Sequence, residues 1–353
     1  MNNPSQTAQE MRQARVGVLI GLSITALLLL CAAGHAQNAH VKMATIAPKG
    51  SSWHLILQEM GEQWKTTSGG RVRLTLYPGG VAGDDGDVVR KMRLGTLGAG
   101  LLASAGLSDI DRSVLALQVP MMYSSYEEID YVLSKMSPQF EKAFEDKGFV
   151  VLNWVNAGWV HFFTKTPVRT PNDLKSLKIF AWAGDNSTVE LWKWAGFSPV
   201  PLPSTEISTA LQTGLVTALP APPQAAVLLQ WYTHAKNMTD VRWAVLIGAT
   251  VVSKAAWERI PADIRPALRE AARVAGRRMQ DEVRKRDQLD VDAMVKRGLN
   301  VIHLDAATTD LWQKQAEGAY PKMRDSYVPA RCFEEALGFR DEYRKTRGSG
   351  KNP

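Results

Sequence analysis

PADIRPALREAARVAGRRMQDEVRKRDQLDVDAMVK, Pro261 to Lys296, is the stretch whose reading organises the rest of the chain. Ile264, Leu268, Ala271, Ala275, Met279 and Val283 recur every three or four residues, and Arg and Glu fill other faces. That spacing draws one apolar stripe along a solvated helix. Pro266 is tolerated only near a first turn, so the regular helix is expected to begin a few residues after Pro261. A helix of roughly 30 residues at about 1.5 Å per residue is about 45 Å long, more than a single small domain needs. It is expected to bridge two lobes.

Upstream of this helix, strand-like and helix-like stretches alternate, which makes the chain an α/β protein. Val41–Ile46 reads as a strand. A helix capped by Ser51 or Ser52 follows to about Thr67, with Leu55, Ile56, Met60 and Trp64 on one face. Val72–Tyr77 alternates as a second strand and stops at Pro78-Gly79-Gly80. Asp84 and Asp85 stand where a cap starts the helix of Val88, Val89 and Met92. The glycines of Arg93–Gly106 resemble a phosphate loop, but neither a dinucleotide fingerprint nor a P-loop Lys is present, so a helix end at Gly95 and a packed strand are expected. Ser124 or Ser125 before Glu127 and Glu128 opens a further helix. Phe149–Trp154 and His161–Thr164 read as strands, and Thr188–Ala195 and Thr205–Leu215 as helices.

Composition narrows the function. Hydrophobic residues make up 45% of the 353, enough for two domains with substantial cores. The net charge is +7, but Lys and Arg are spread among acids and no nucleic-acid motif appears, so a solvated mixed surface is expected rather than a nucleic-acid partner. Arg12 and Arg15 precede an apolar run from Val16 to Leu30, and Gly34-His35-Ala36 carries the small residues of a signal-peptidase site. Residues 1–36 therefore read as a secretory signal peptide. The alternative is a retained anchor, because Val16–Ala33 approaches the roughly 20 residues that span a bilayer. Leu30 ahead of Cys31 counts against lipid modification. Beyond the leader, Cys332 is the one cysteine, which leaves no intrachain disulfide.

No catalytic, metal or cofactor site is expected. His40, His54, His161, His234 and His303 form no pair at metal-ligand spacing, and Asp84, Asp85 and Asp87 lack the later glutamate of an EF-hand.

Five blocks in order, YPGGVAGDD (Tyr77–Asp85), PMMYSSYEEIDYVL (Pro120–Leu133), RTPNDLKSLKI (Arg169–Ile179), TEISTALQTGLV (Thr205–Val216) and SKAAWERIPADIRPALREAA (Ser253–Ala272), carry a resemblance. Together they are similar to the solute receptors of TRAP (tripartite ATP-independent periplasmic) transporters, over nearly the whole chain after the leader. The resemblance implies a periplasmic α/β receptor of two lobes that closes on a small molecule and delivers it to TRAP membrane subunits. Lobe I would hold residues 37–157 and 245–285, and lobe II residues 158–244 and 286–353. Some systems of this kind also use a helical-repeat periplasmic protein as partner.

The departures bear on the ligand. In TRAP receptors the position after Lys178-Ile179 is normally an arginine that grips a carboxylate, and here it is Phe180; a second basic position falls on Val160. Neither side chain can replace a guanidinium fork. The usually polar stretch after Val216 is Thr217-Ala218-Leu219-Pro220-Ala221-Pro222-Pro223. Trp159 and Trp182 flank the altered positions, and Tyr123, Phe162, Trp231 and Trp243 are within expected reach of the cleft. Trp154, Trp192, Trp194, Trp257 and Trp312 are assigned to packing. The expected ligand-binding set is thus Phe180, Trp159, Trp182, Val160, Tyr123, Phe162, Pro220 and Trp243, and the expected cargo apolar or amphipathic. Three functions stay open on the residues alone: a transport receptor, a receptor-like interaction scaffold, and, least supported, an enzyme on the same lobes. A carboxylate receptor with a substitute base at Lys165, Arg169 or Arg242 is a variant of the first.

Overall fold

The computed structural model describes residues 38–348; the leader expected over 1–36 lies outside them. Nine strands run in chain order: β1 Ala39–Thr45, β2 Val72–Tyr77, β3 Ala99–Ala103, β4 Phe149–Thr164, β5 Lys178–Trp182, β6 Ser198–Leu202, β7 Ala218–Ala221, β8 Asn237–Ser253 and β9 Asn300–Ile302. The helices are α1 Ser52–Thr67, α2 Asp85–Arg93, α3 Ser104–Ile110, α4 Tyr126–Asp146, α5 Pro171–Lys175 and α6 Asn186–Trp194. They continue as α7 Ile207–Thr213, α8 Pro223–Leu228, α9 Lys254–Glu258, α10 Arg265–Val295, α11 Ala306–Ser326 and α12 Ala330–Gly348. No helix among the described residues is long and apolar enough to cross a membrane.

One mixed sheet has the order β2-β1-β3-β8-β4-β7-β5-β6, with β9 beside β8. The long strands β4 and β8 pair antiparallel along their length and carry the two ends of the sheet. β3 pairs with Gly248–Val252, near the C-terminus of β8, whereas β9 pairs with Asn237–Thr239 at its start. β7 pairs with His161–Thr164, the last residues of β4. Phe149–Trp154 and His161–Thr164, expected as separate strands, are the two ends of this one strand. The residues between them stay paired through register shifts at Asn156/Trp159 and Val160/Phe162. Gly158 permits the bend with φ +108°, a backbone region that a side chain would strain.

Local chemistry places most helix starts where the residues suggest. Ser51 caps α1 by accepting the His54 amide, and Ser125 caps α4 by accepting the Glu128 amide at 3.2 Å. The Glu128 carboxylate accepts the Ser124 amide in return at 2.6 Å. On α1 the buried face is His54, Ile56, Leu57, Met60 and Trp64, and Leu55 is 49% exposed. Leu55 was the wrong member of the stripe: Leu57 lies three residues before Met60 and seven before Trp64, so it shares their face.

The segment expected to bridge two lobes is one continuous 31-residue helix, α10, with Pro266 in its first turn. Leu268, Ala272, Ala275, Gly276, Met279 and Val283 are buried. It packs on α1 and β4, and further along on α8. Trp64 Nε1 donates to the Leu268 carbonyl at 3.0 Å, and Asn153 Nδ2 to the Ala272 carbonyl at 2.6 Å. Gly276 sets how closely helix and strand approach, because a β-carbon there would lie 2.8 Å from Cβ and Cγ of Asn153. Gly276→Ala is therefore expected to destabilise the protein by about 1–3 kcal/mol, overriding a helix-propensity gain of about 1 kcal/mol. Urea unfolding reads this directly, and a variant as stable as the parent would contradict it.

Candidate functional site

A cavity of about 150 Å³ opens at the end of β5. Phe180, Ala181 and Trp182 reach it from β5, Val160 from β4, Pro220 from β7, and Trp243, Ala244 and Leu246 from β8. Asp185, Thr188, Leu191 and Trp192 close one side from the start of α6, and Ala316, Ala319 and Met323 another from α11. Ser104 of α3 and Gln118 add polar atoms; the Gln118 amide is already committed to the Val245 carbonyl at 2.9 Å.

The walls are aromatic and held by one another. Phe180 and Trp182 meet edge to face at 5.5 Å between ring centres. Trp192 stacks on Trp243 at 5.8 Å and meets Phe197 edge-on at 4.8 Å. Beneath Trp243 lie Phe162 and Trp312, stacked at 5.2 Å, with Trp312 Nε1 donating to the Arg169 carbonyl at 2.8 Å. Such offset and edge contacts hold each ring in a defined orientation.

Of the expected binding residues, the structure brings Val160, Phe180, Trp182, Pro220 and Trp243 to this cavity. It places the other three elsewhere. Phe162 is fully buried under Trp243. Trp159 is 1% exposed and packs on Tyr126 with the Arg242 guanidinium 5.6 Å from its ring. Tyr123 donates to the Ala116 carbonyl at 2.8 Å and borders a different concavity with Arg242, Arg340 and Arg344. Trp231 is buried against Tyr232 and Leu211 in the core around β5 and β7.

Two tryptophans assigned to packing behave otherwise: Trp192 lines the cavity, and Trp194 is 53% exposed. The sequence also left Asp185 and all of the α11 contribution out of the candidate set. For Asp185 a signal existed, since Asp185 three residues before Thr188 is a helix-cap spacing; its Oδ1 accepts the Thr188 amide at 3.0 Å and Oδ2 the Thr188 hydroxyl. For α11 there was none, because nothing local says which distant helix covers a sheet end.

The electrostatics of the cavity are simple. Among the described residues, Asp185 is the one charged side chain in its lining, and no Lys, Arg or His lines it. Lys165, Arg169 and Arg242, the candidates for a substitute base, are absent from its walls. Elsewhere, Asp84, the cap of α2, accepts from both the amide and the hydroxyl of Ser204, at 2.9 and 2.7 Å. A smaller apolar cavity of about 110 Å³ lies between Trp53, Leu102, Pro222 and Leu228, and shares Leu246 with the first. Among the described residues no three His, Cys, Asp or Glu side chains are grouped to hold a metal ion.

The model of bacterial extracellular solute-binding protein family 7 matches residues 43–326. The chain is 25% identical over 282 residues to the 2,3-diketo-L-gulonate-binding periplasmic protein of Escherichia coli (strain K12), covering 78% of this chain and 83% of that one. A TRAP periplasmic solute-binding protein of Ralstonia eutropha H16, solved with bound (S)-2-acetolactate, superposes with a TM-score of 0.79 at 22% identity, over 86% of this chain and 99% of that one. Another from Shewanella oneidensis, with bound succinate, gives a TM-score of 0.80 at 18% identity, over 86% and 99%. With the family model covering most of the described residues, the chain belongs to bacterial extracellular solute-binding protein family 7, and it shares the fold of TRAP periplasmic solute-binding proteins.

Proposed function

We propose that this receptor captures a compact apolar or amphipathic molecule in the cavity at the end of β5 and passes it to TRAP membrane subunits without chemical change. The observation that carries the reading is the lining itself. Phe180 and Val160 stand at the expected clamp positions, and among the described residues no basic side chain lines the cavity from another direction. A carboxylate entering such a space would lose its hydration without gaining a charged partner, which is strongly unfavourable. Apolar area, by contrast, contributes about 25 cal/mol per Å² when buried there. The 2,3-diketo-L-gulonate, acetolactate and succinate named for relatives are acids, so this receptor differs from them in cargo.

Capture works by closure of two lobes, residues 37–157 with 245–285 and residues 158–244 with 286–353. The support is that both long strands change partners along their length and β4 is bent at Gly158, next to the proposed boundary. The Asp84–Ser204 pair links a residue of the first proposed lobe to one of the second and would serve as a latch between them.

The test is native mass spectrometry of the purified protein, with identification of any retained small molecule, followed by calorimetry. An apolar or amphipathic cargo is expected, with no micromolar binding of C4-dicarboxylates or sialic acid. Phe180→Ala should weaken the cargo by about 2 kcal/mol or more, roughly thirtyfold, when compared at equal folded fraction. Micromolar succinate binding, or cargo affinity unchanged in a folded Phe180→Ala protein, would sink the reading.

A further inference from the structure

The cavity is apolar but not electrically neutral. Asp185 lines it and has neither an ion-pair partner among the described residues nor a basic neighbour in the cavity wall. Its hydrogen bonds go to Thr188 in its role as cap of α6. A cap does not require charge, since Asn or Ser caps as well as Asp. A second acid, Asp109 of α3, is close enough to feel it: burial pushes the Asp109 carboxyl up, Arg93 pulls it down, and the Asp185 carboxylate adds to the upward push. Among the described residues Asp185 is thus the one charged side chain in the lining, offset by the amides at the start of α6 but by no cation in the wall. Around it stand the rings of Phe180, Trp182, Trp192, Phe197, Trp243 and Tyr327. The faces of such rings carry the negative end of a quadrupole and attract cations.

We propose that the cargo carries a cationic head, an ammonium group held between the Asp185 carboxylate and the aromatic walls, with its apolar remainder against Val160, Ala316 and Ala319. The inference rests on the cavity being the cargo site. It follows from how each class of ligand would meet this charge. An anion is repelled in a space where low polarity strengthens the repulsion. A neutral molecule removes water from the carboxylate and returns at most a hydrogen bond from an uncharged donor, without the attraction between opposite charges. A cation replaces that water with a charge-assisted hydrogen bond and ring contacts at once. The volume suits a small ligand, because an apolar cavity of about 150 Å³ accommodates a molecule the size of benzene.

Three probes of that size separate the possibilities: benzylammonium, benzyl alcohol and benzoate, each titrated calorimetrically at pH 7. Benzylammonium is expected to bind about tenfold or more tighter than benzyl alcohol, with benzoate weakest. In Asp185→Asn, which retains an N-cap for α6, the preference for benzylammonium over benzyl alcohol should shrink to about twofold or less. Asp185→Ser serves if the amide variant unfolds. Equal binding of ammonium and alcohol by the parent, or a preference that both folded variants retain, overturns the cationic head and leaves the apolar cargo standing. If none of the three binds, the cavity is not the cargo site and both proposals fall.

Discussion

Trp312→Ala is expected to lower stability by about 3–5 kcal/mol, the cost typical of deleting a buried aromatic side chain whose surroundings cannot collapse. Trp312 is 0% exposed, stacked on Phe162 and set edge-on to Trp243, with its indole N–H on the Arg169 carbonyl. Removing it opens a void beneath the cavity floor and leaves that carbonyl without its donor, so transfer, cavity and hydrogen-bond losses coincide. Trp312→Phe, which keeps a ring on Phe162, should recover much of the difference. The same deletion releases Trp243, so probe or cargo affinity should fall even at temperatures where the variant remains folded. Urea titration measures the first effect and calorimetry the second. A loss below about 1 kcal/mol would mean that neighbouring rings refill the space, and that the aromatic floor is not rigid.

The second large effect is a dependence of stability on pH that runs through Asp85. This side chain is 1% exposed at the first turn of α2, and its Oδ2 accepts the Ala103 amide at 2.7 Å. Burial pushes the carboxyl up to about 8 from an ordinary 3.8; Asp84 adds to the shift, and the amides of Ala103 and Gly106 oppose it. The unfolded chain releases this proton near pH 4 and the folded chain near pH 8. Between those values the fold binds a proton that the unfolded chain has lost, so the contribution is whole below pH 4 and drains as pH rises through 8. At about 1.4 kcal/mol per pH unit, the parent should lose on the order of 3 kcal/mol relative to Asp85→Asn between pH 5 and 8. The amide variant keeps an acceptor for Ala103 but cannot ionise. Parallel urea titrations of the two proteins from pH 5 to 8.5 give the difference, and parallel profiles would show that Asp85 ionises in the fold as it does in water.

Much of the architecture was legible because it is local. Ser51 and Ser125 satisfy helix-end amides three residues on, and Gly95 ends a helix with φ +76°. The period of α10 reads off its own residues. Phe180 and Val160, expected at the clamp positions, both line the cavity. Where the reading failed, a neighbour distant in sequence decided. Trp159 and Val160 are adjacent on a bulged strand, yet the first packs under Arg242 and Tyr126 and the second faces the cavity. Trp192 and Trp194 lie on one short helix and differ as much.

By itself, then, the sequence determined the α/β order, the long helix and the family, since each is written in neighbouring residues or in their spacing. Only the tertiary structure decided which rings share one cavity, that α11 closes it, and that Asp185 is the one charged side chain among the described residues that line it. The physical reason is that alternation and helical period assign a side chain to a face, whereas the partner of that face is chosen by packing between segments far apart in the chain.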